Sequence, residues 1–140
     1  MRHRSTFRLR MDGVDAFGII FFTQYWHWCQ HAIEELMEAT DHPLREILDS
    51  GIGFPLVHAD IDFHHPLHLS DTVVAESRLA RAGKRSLHFE VVFRLGETVV
   101  AEARCVQVAV RRDLQPTEVP EWLRALVDEP TPVDVVDPPR

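Results

Sequence analysis

Residues 5–11 alternate Phe7, Leu9 and Met11 with Arg8 and Arg10, the period of a half-buried strand. Asp12-Gly13 punctuates it. Over residues 23–39 the period lengthens. Tyr25, Cys29, Ile33 and Leu36 recur with Ala32 and Met37 beside them, against a polar stripe of His27, Gln30, His31, Glu34 and Glu38. That spacing predicts an amphipathic helix. Pro43 ends it by disfavouring a helical His42. Leu44 to Asp49 reads as a short second helix that stops at Gly51. From Phe54 the period becomes two, with Val57, Ala59, Ile61 and Phe63 set against His58, Asp60, Asp62 and His64. Further strands are predicted over 72–81, 85–95 and 98–111, the last two joined by a tight Gly96-Glu97 turn. In the last of them Val99, Ala101, Ala103, Cys105 and Gln107 share a face. Pro120 opens a short terminal helix reaching Val127. Residues 128–140 are proline- and acid-rich with nothing to bury, and are expected to form a mobile tail.

A run of antiparallel strands segregated from one long helix indicates α+β. The helix covers one face of the sheet. The other face, taken as lined by Val and Ala, then needs a partner, so a dimer or tetramer is expected. With 140 residues the chain makes one domain, taken as 1–127. A formal charge of -7 argues against general nucleic-acid binding. Cys29 and Cys105 fit neither a disulfide framework nor a zinc motif and read as buried thiols. The longest apolar run, 17–22, is too short to span a bilayer, and no apolar run follows the N-terminal charges. A soluble, cytoplasmic protein is expected, with no membrane partner.

The most informative segment is Val14-Asp15-Ala16-Phe17-Gly18-Ile19-Ile20-Phe21-Phe22-Thr23-Gln24-Tyr25, between the first strand and the long helix. With the later Gly53 to Val57 run, it resembles the 4-hydroxybenzoyl-CoA thioesterase group of the hotdog-fold superfamily, across roughly residues 6–111. The phrase from Phe54 to Phe63 looks most like the members acting on 1,4-dihydroxy-2-naphthoyl-CoA. The resemblance implies a five-stranded antiparallel sheet wrapped around one long helix. It also implies an acyl-CoA substrate, sites at a subunit interface, and no metal or redox cofactor.

Thioester hydrolysis needs a carboxylate that attacks the carbonyl or activates water, and donors for the developing oxyanion. By resemblance Asp15 is that carboxylate, the Phe22 backbone N–H is the donor, and Gly18 lets the backbone pass close to the substrate. Related short-chain acyl-CoA thioesterases carry His at the position of Phe22, so their variant of the mechanism is not expected. Another subgroup places a catalytic Glu on the helix, where Glu34 and Glu35 are available. The turn Arg81-Ala82-Gly83-Lys84-Arg85-Ser86 suits the phosphates of coenzyme A. Lys84 and Arg85 stand where the family holds them, with Arg81 and Ser86 alongside. His58, Tyr25 and Trp26 are candidate acyl-group contacts. His58, Asp60, Asp62 and His64 share a strand face, but their spacing along one strand makes a metal site the weaker reading. Two other functions stay open: a hotdog dehydratase using His27 or His31, and a non-catalytic acyl-CoA binding protein.

Overall fold

The computed structural model of the chain describes residues 1–128. Strand β1 (Arg2–Arg8) leads through a 3-10 turn at Met11–Gly13 to helix α1 (Phe22–Glu38) and helix α2 (Leu44–Asp49). The short β2 (Ile52–Gly53) precedes β3 (Leu56–Phe63), β4 (Thr72–Ala82), β5 (Ser86–Leu95) and β6 (Thr98–Val108). Then come β7 (Val110–Arg111) and helix α3 (Glu121–Arg124). The main sheet has the order β1-β4-β5-β6-β3, antiparallel throughout. The expected α+β architecture is therefore present.

Helix α1 buries Tyr25, Trp28, Cys29, Ala32, Ile33, Leu36 and Met37, the residues of its apolar stripe plus Trp28. They pack on Val73, Ala75, Leu79, Phe89, Val91 and Phe93, all at most 2% exposed. Each large side chain so buried stabilises the fold by roughly 1.5–3 kcal/mol. Cys29 and Cys105 are free and buried. Among the described residues no helix is long and apolar enough to cross a membrane.

Several boundaries differ from the sequence reading. The first strand begins at Arg2 and stops at Arg8, where its pairing with Thr72 ends, and Met11 is 73% exposed on the following turn. The fifth long strand breaks at Ala109. Beyond it, Val110–Arg111 leave the main sheet to pair with Ile52–Gly53. Two-residue ladders carry no periodicity, so the sequence hides them. The terminal helix is shorter, at Glu121–Arg124. Of the expected tail, only Asp128 lies among the described residues, where it meets the Met1 amine at 3.3 Å and Arg2 at 3.2 Å. The rest lies outside them.

The face opposite α1 corrects one expectation. Val74, Val92 and Val106 lie on it, but interleaved with charged residues rather than as an apolar lining. A row of charged residues crosses all five strands: Asp60 faces Arg104, Arg104 faces Glu90 and Glu90 faces Arg78, while Arg78 stands opposite Arg2, whose ionic partners are Glu76 and Asp128. Arg104 bonds both Asp60 and Asp62, and Arg78 bonds Glu90. Period-two spacing shows which residues share a face, not which of the two faces the helix takes. The apolar set went to the helix, so an uncovered apolar sheet face gives no reason to oligomerise. On the sheet, exposed apolar residues concentrate along one edge instead. β3 has no neighbour on its outer side, and Leu56, Val57 and Phe63 are 53–58% exposed along it.

Burial works against ionisation of Asp60, but Arg104 and His58 outweigh it and hold the carboxyl below its ordinary value. A depressed carboxyl contributes stability above its unfolded pKa of about 3.8 and loses it as pH falls through the folded value. Arg104→Gln is expected to remove part of that acid-dependent loss. Chemical denaturation at pH 7 and pH 3 checks this: the two proteins should differ more at pH 7, and an equal gap at both would refute it.

Candidate active site

The segment holding Asp15 folds into a tight turn. Asp15 N–H donates to the Ile19 carbonyl at 2.8 Å and Gly18 N–H to the Asp15 carbonyl at 3.0 Å, with Val14 and Ile20 bridged. Gly18 has φ +73, a conformation costly for other residues, and a Cβ there would meet nothing within 4 Å. Its need is conformational, and the space above it is open. Asp15 Oδ1 accepts from Phe17 N–H at 2.9 Å and Ile19 N–H at 3.1 Å. Oδ2 has no partner among the described residues. One oxygen fixes the side chain and the other stays available.

Past this turn, Phe21 N–H donates to the Gly13 carbonyl at 2.8 Å, and α1 begins at Phe22. The N-cap is Phe21, with no side-chain cap. A polar N-cap in its place would stabilise a helix by about 1 kcal/mol. Here the Phe22 and Thr23 N–H groups find no acceptor among the described residues. The helix start is left open, with its partial positive charge facing outward.

A groove of about 500 Å³ runs between this helix start and the end of β3. Asp15, Ile20, Phe22, Tyr25, Phe63 and His64 line it, together with His65. Phe17, Phe21, Phe22 and Phe63 stand 46–87% exposed, a cluster of surface phenyl rings that marks a binding face. Tyr25 forms the interior wall. It is 1% exposed, with ring centroids of Phe93, Phe63 and Trp28 at 5.1, 5.5 and 5.8 Å. Burial pushes its phenol up to about 12, so it stays protonated. Its hydroxyl is buried without a hydrogen-bond partner.

Asp15, Gly18, the Phe22 N–H and Tyr25 thus come together. Trp26 does not join them; it packs half-buried against the core. His58 also lies elsewhere, on the charged sheet face, 3.1 Å from Asp60 with its side chain 63% exposed. Sequence reasoning missed His64 and His65 as groove residues. The Pro66 that follows them was the available signal, since it stops the strand and turns the chain over the helix start. His64 Nε2 lies 3.1 Å from Glu102. Among the described residues no three His, Cys, Asp or Glu side chains are placed to hold a metal ion.

The basic turn sits at the far end of the sheet. Phe63 pairs with Ala101, whereas Ser86 pairs with Val108. At about 3.3 Å per residue that separation is about 23 Å. Lys84 reaches Glu118 at 3.3 Å, and Arg81 and Arg85 have no ionic partner among the described residues. Ser86 Oγ lies 3.4 Å from His88 Nε2. Burial first, and the Arg81 charge second, lower the His88 pKa, which marks local positive potential.

An antiparallel sheet wrapped on one long helix is the hotdog fold, and Asp15 and Phe22 line one groove beside the helix start. Residues 9–127 match the thioesterase-like superfamily; the chain belongs to it and is a thioester hydrolase. It is 28% identical to a 1,4-dihydroxy-2-naphthoyl-CoA hydrolase of Prochlorococcus marinus (strain MIT 9303), covering 84% of this chain and 86% of that one. Among solved structures it resembles a gentisyl-coenzyme A thioesterase at 27% identity and TM-score 0.80, over 87% of this chain and 99% of that one. It shares its fold with a 1,4-dihydroxy-2-naphthoyl-CoA thioesterase from Synechocystis at 23% identity and TM-score 0.78, over 90% and 96% of the two chains.

Proposed function

We propose that the protein hydrolyses an aryl- or acyl-CoA thioester to the free acid and CoA. 1,4-Dihydroxy-2-naphthoyl-CoA, which a matched hydrolase carries in its name, and 4-hydroxybenzoyl-CoA, from the sequence resemblance, are the leading candidates. The observation that carries this reading is Asp15, with one oxygen uncommitted, in the same groove as an uncapped helix start. The thioester carbonyl oxygen sits at the Phe22 N–H, where the helix start stabilises the charge that develops on attack. Asp15 Oδ2 then adds to the carbonyl carbon and expels CoA thiolate, leaving an acyl anhydride that water cleaves. Alternatively, Oδ2 takes a proton from the attacking water. Both routes end in the acid and CoA, and neither uses a metal or redox cofactor. A dehydratase would need His27 or His31; both are exposed on the polar stripe of α1 and line no part of the groove.

The groove is incomplete within one chain, because the basic turn lies about 23 Å along the sheet from the Phe63 end where the groove sits. The β3 edge supplies a remedy. A two-fold axis across that edge pairs β3 antiparallel with itself, as in most dimers. The Leu56 end of one copy then lies beside the Phe63 end of the other. Each groove thereby gains the other copy's basic turn for the CoA phosphates. The assembly is thus a dimer, or a tetramer of two such pairs.

Replacing Lys84 and Arg85 together by Ala tests the CoA anchor. Such remote contacts are alike in ground and transition state, so KM should rise more than kcat falls. A pantetheine thioester, lacking those phosphates, should be turned over equally by both proteins. Lys84 and Glu118 are exposed, so losing their ion pair should barely alter stability. Equal impairment of both substrates would make the turn merely structural.

A further inference from the structure

The Tyr25 hydroxyl is an anomaly in a well-satisfied interior. Among the described residues only Ser5, Tyr25 and Arg124 leave a buried side-chain polar atom without a partner, and of these only Tyr25 lines the groove. A buried hydroxyl without a hydrogen bond costs about 1–3 kcal/mol. Phenylalanine would fill the same aromatic cage at no such cost. A group kept at that cost has a partner in some other state of the protein.

Its position names the partner. Tyr25 lies one turn into α1, three residues after Phe22, and so on the same side of the helix as the open N–H groups. Helical side chains lean back toward the N-terminus, and Tyr25 is one of the residues that line the groove. A thioester with its carbonyl at the helix start runs its acyl group over the Tyr25 ring, one turn away from the bond being broken. The rings of Phe63, Phe93 and Trp28 around it offer no acceptor, and an acyl group that enters the groove can supply one. We infer that Tyr25 Oη is a specificity contact that donates its proton to an oxygen carried on the acyl group of the bound thioester. This rests on the thioesterase reading above and adds to it: the acyl group is oxygenated, and Tyr25 is what reads the oxygen. Sites built to bond a substrate hydroxyl discriminate strongly against analogues that lack it, because their own buried group is then left unpaired.

Tyr25→Phe removes one oxygen and keeps the ring. The test compares kcat/KM of wild type and Tyr25→Phe on benzoyl-CoA and on a ring-hydroxylated benzoyl-CoA, with thermal unfolding of both ligand-free proteins. Wild type should prefer the hydroxylated substrate by about 10-fold or more. Tyr25→Phe should lose more on it than on benzoyl-CoA, so that the preference falls toward parity. The ligand-free variant should melt no lower than wild type, because an unsatisfied group has been removed. An equal fall on both substrates, no fall on either, or a wild type that prefers benzoyl-CoA would overturn the role of Tyr25. A variant that melts lower and loses both activities would show a structural hydroxyl. A wild type inactive on both substrates but active on aliphatic CoA thioesters would instead remove the aryl-CoA reading on which the inference stands.

Discussion

Asp15→Asn should lower kcat on CoA thioesters by at least ~10²-fold, the contribution expected of a positioned acid–base group or nucleophile. The fold should survive. Asp15 Oδ1 accepts N–H groups of Phe17 and Ile19, and the Asn carbonyl oxygen accepts both as well. What disappears is the charge and nucleophilicity of Oδ2. KM should move little, since the carbonyl still docks at the helix start. Matching circular dichroism and melting curves, with single-turnover acyl transfer measured beside steady-state rates, would separate chemistry from folding. A variant that keeps near wild-type kcat would show that Asp15 only shapes the turn.

Charging the free edge of β3 should abolish both assembly and most of the activity. Leu56 and Val57 are 55% and 58% exposed, so Leu56→Lys with Val57→Lys changes surface positions that cost the monomer little. Lysines on an edge strand oppose pairing with a second copy. Light scattering should show wild type as a dimer or larger and the variant as a monomer. Thioesterase activity should fall at least ~10-fold in the variant, because the CoA phosphates lose the other copy's Lys84 and Arg85. A wild type that is monomeric and fully active at assay concentration would refute the shared site.

Much of the architecture is readable from periodicity. The stripe from Tyr25 to Met37 and the alternation of Val73, Ala75 and Leu79 carry it, since burial of one face imposes those periods. The segment from Asp15 to Phe22 also marks the helix start before any coordinates. Other features depend on tertiary placement. The Val and Ala set could face the helix or away from it, and only packing decided. His58 and His64 belong to the same strand pattern, and their rings meet Asp60 and Glu102, yet only His64, just past the end of β3 at Phe63, also borders the groove. Lys84 and Asp15 are functional candidates by chemistry alone, but sequence gives no hint that the whole length of the sheet lies between them. The unsatisfied state of the Tyr25 hydroxyl is likewise invisible in sequence, where Tyr25 reads as part of an apolar stripe and, by resemblance, as an acyl-group contact.

The thioesterase reading is tested most directly by release of free thiol from a panel of aryl- and alkyl-CoA thioesters, measured with wild type and Asp15→Asn side by side. Rapid release from hydroxylated aryl thioesters is expected, with slower release from aliphatic ones of matched size and none above background from Asp15→Asn. No thiol release from any member of the panel, or equal release by the two proteins, would contradict an Asp15-dependent CoA thioesterase.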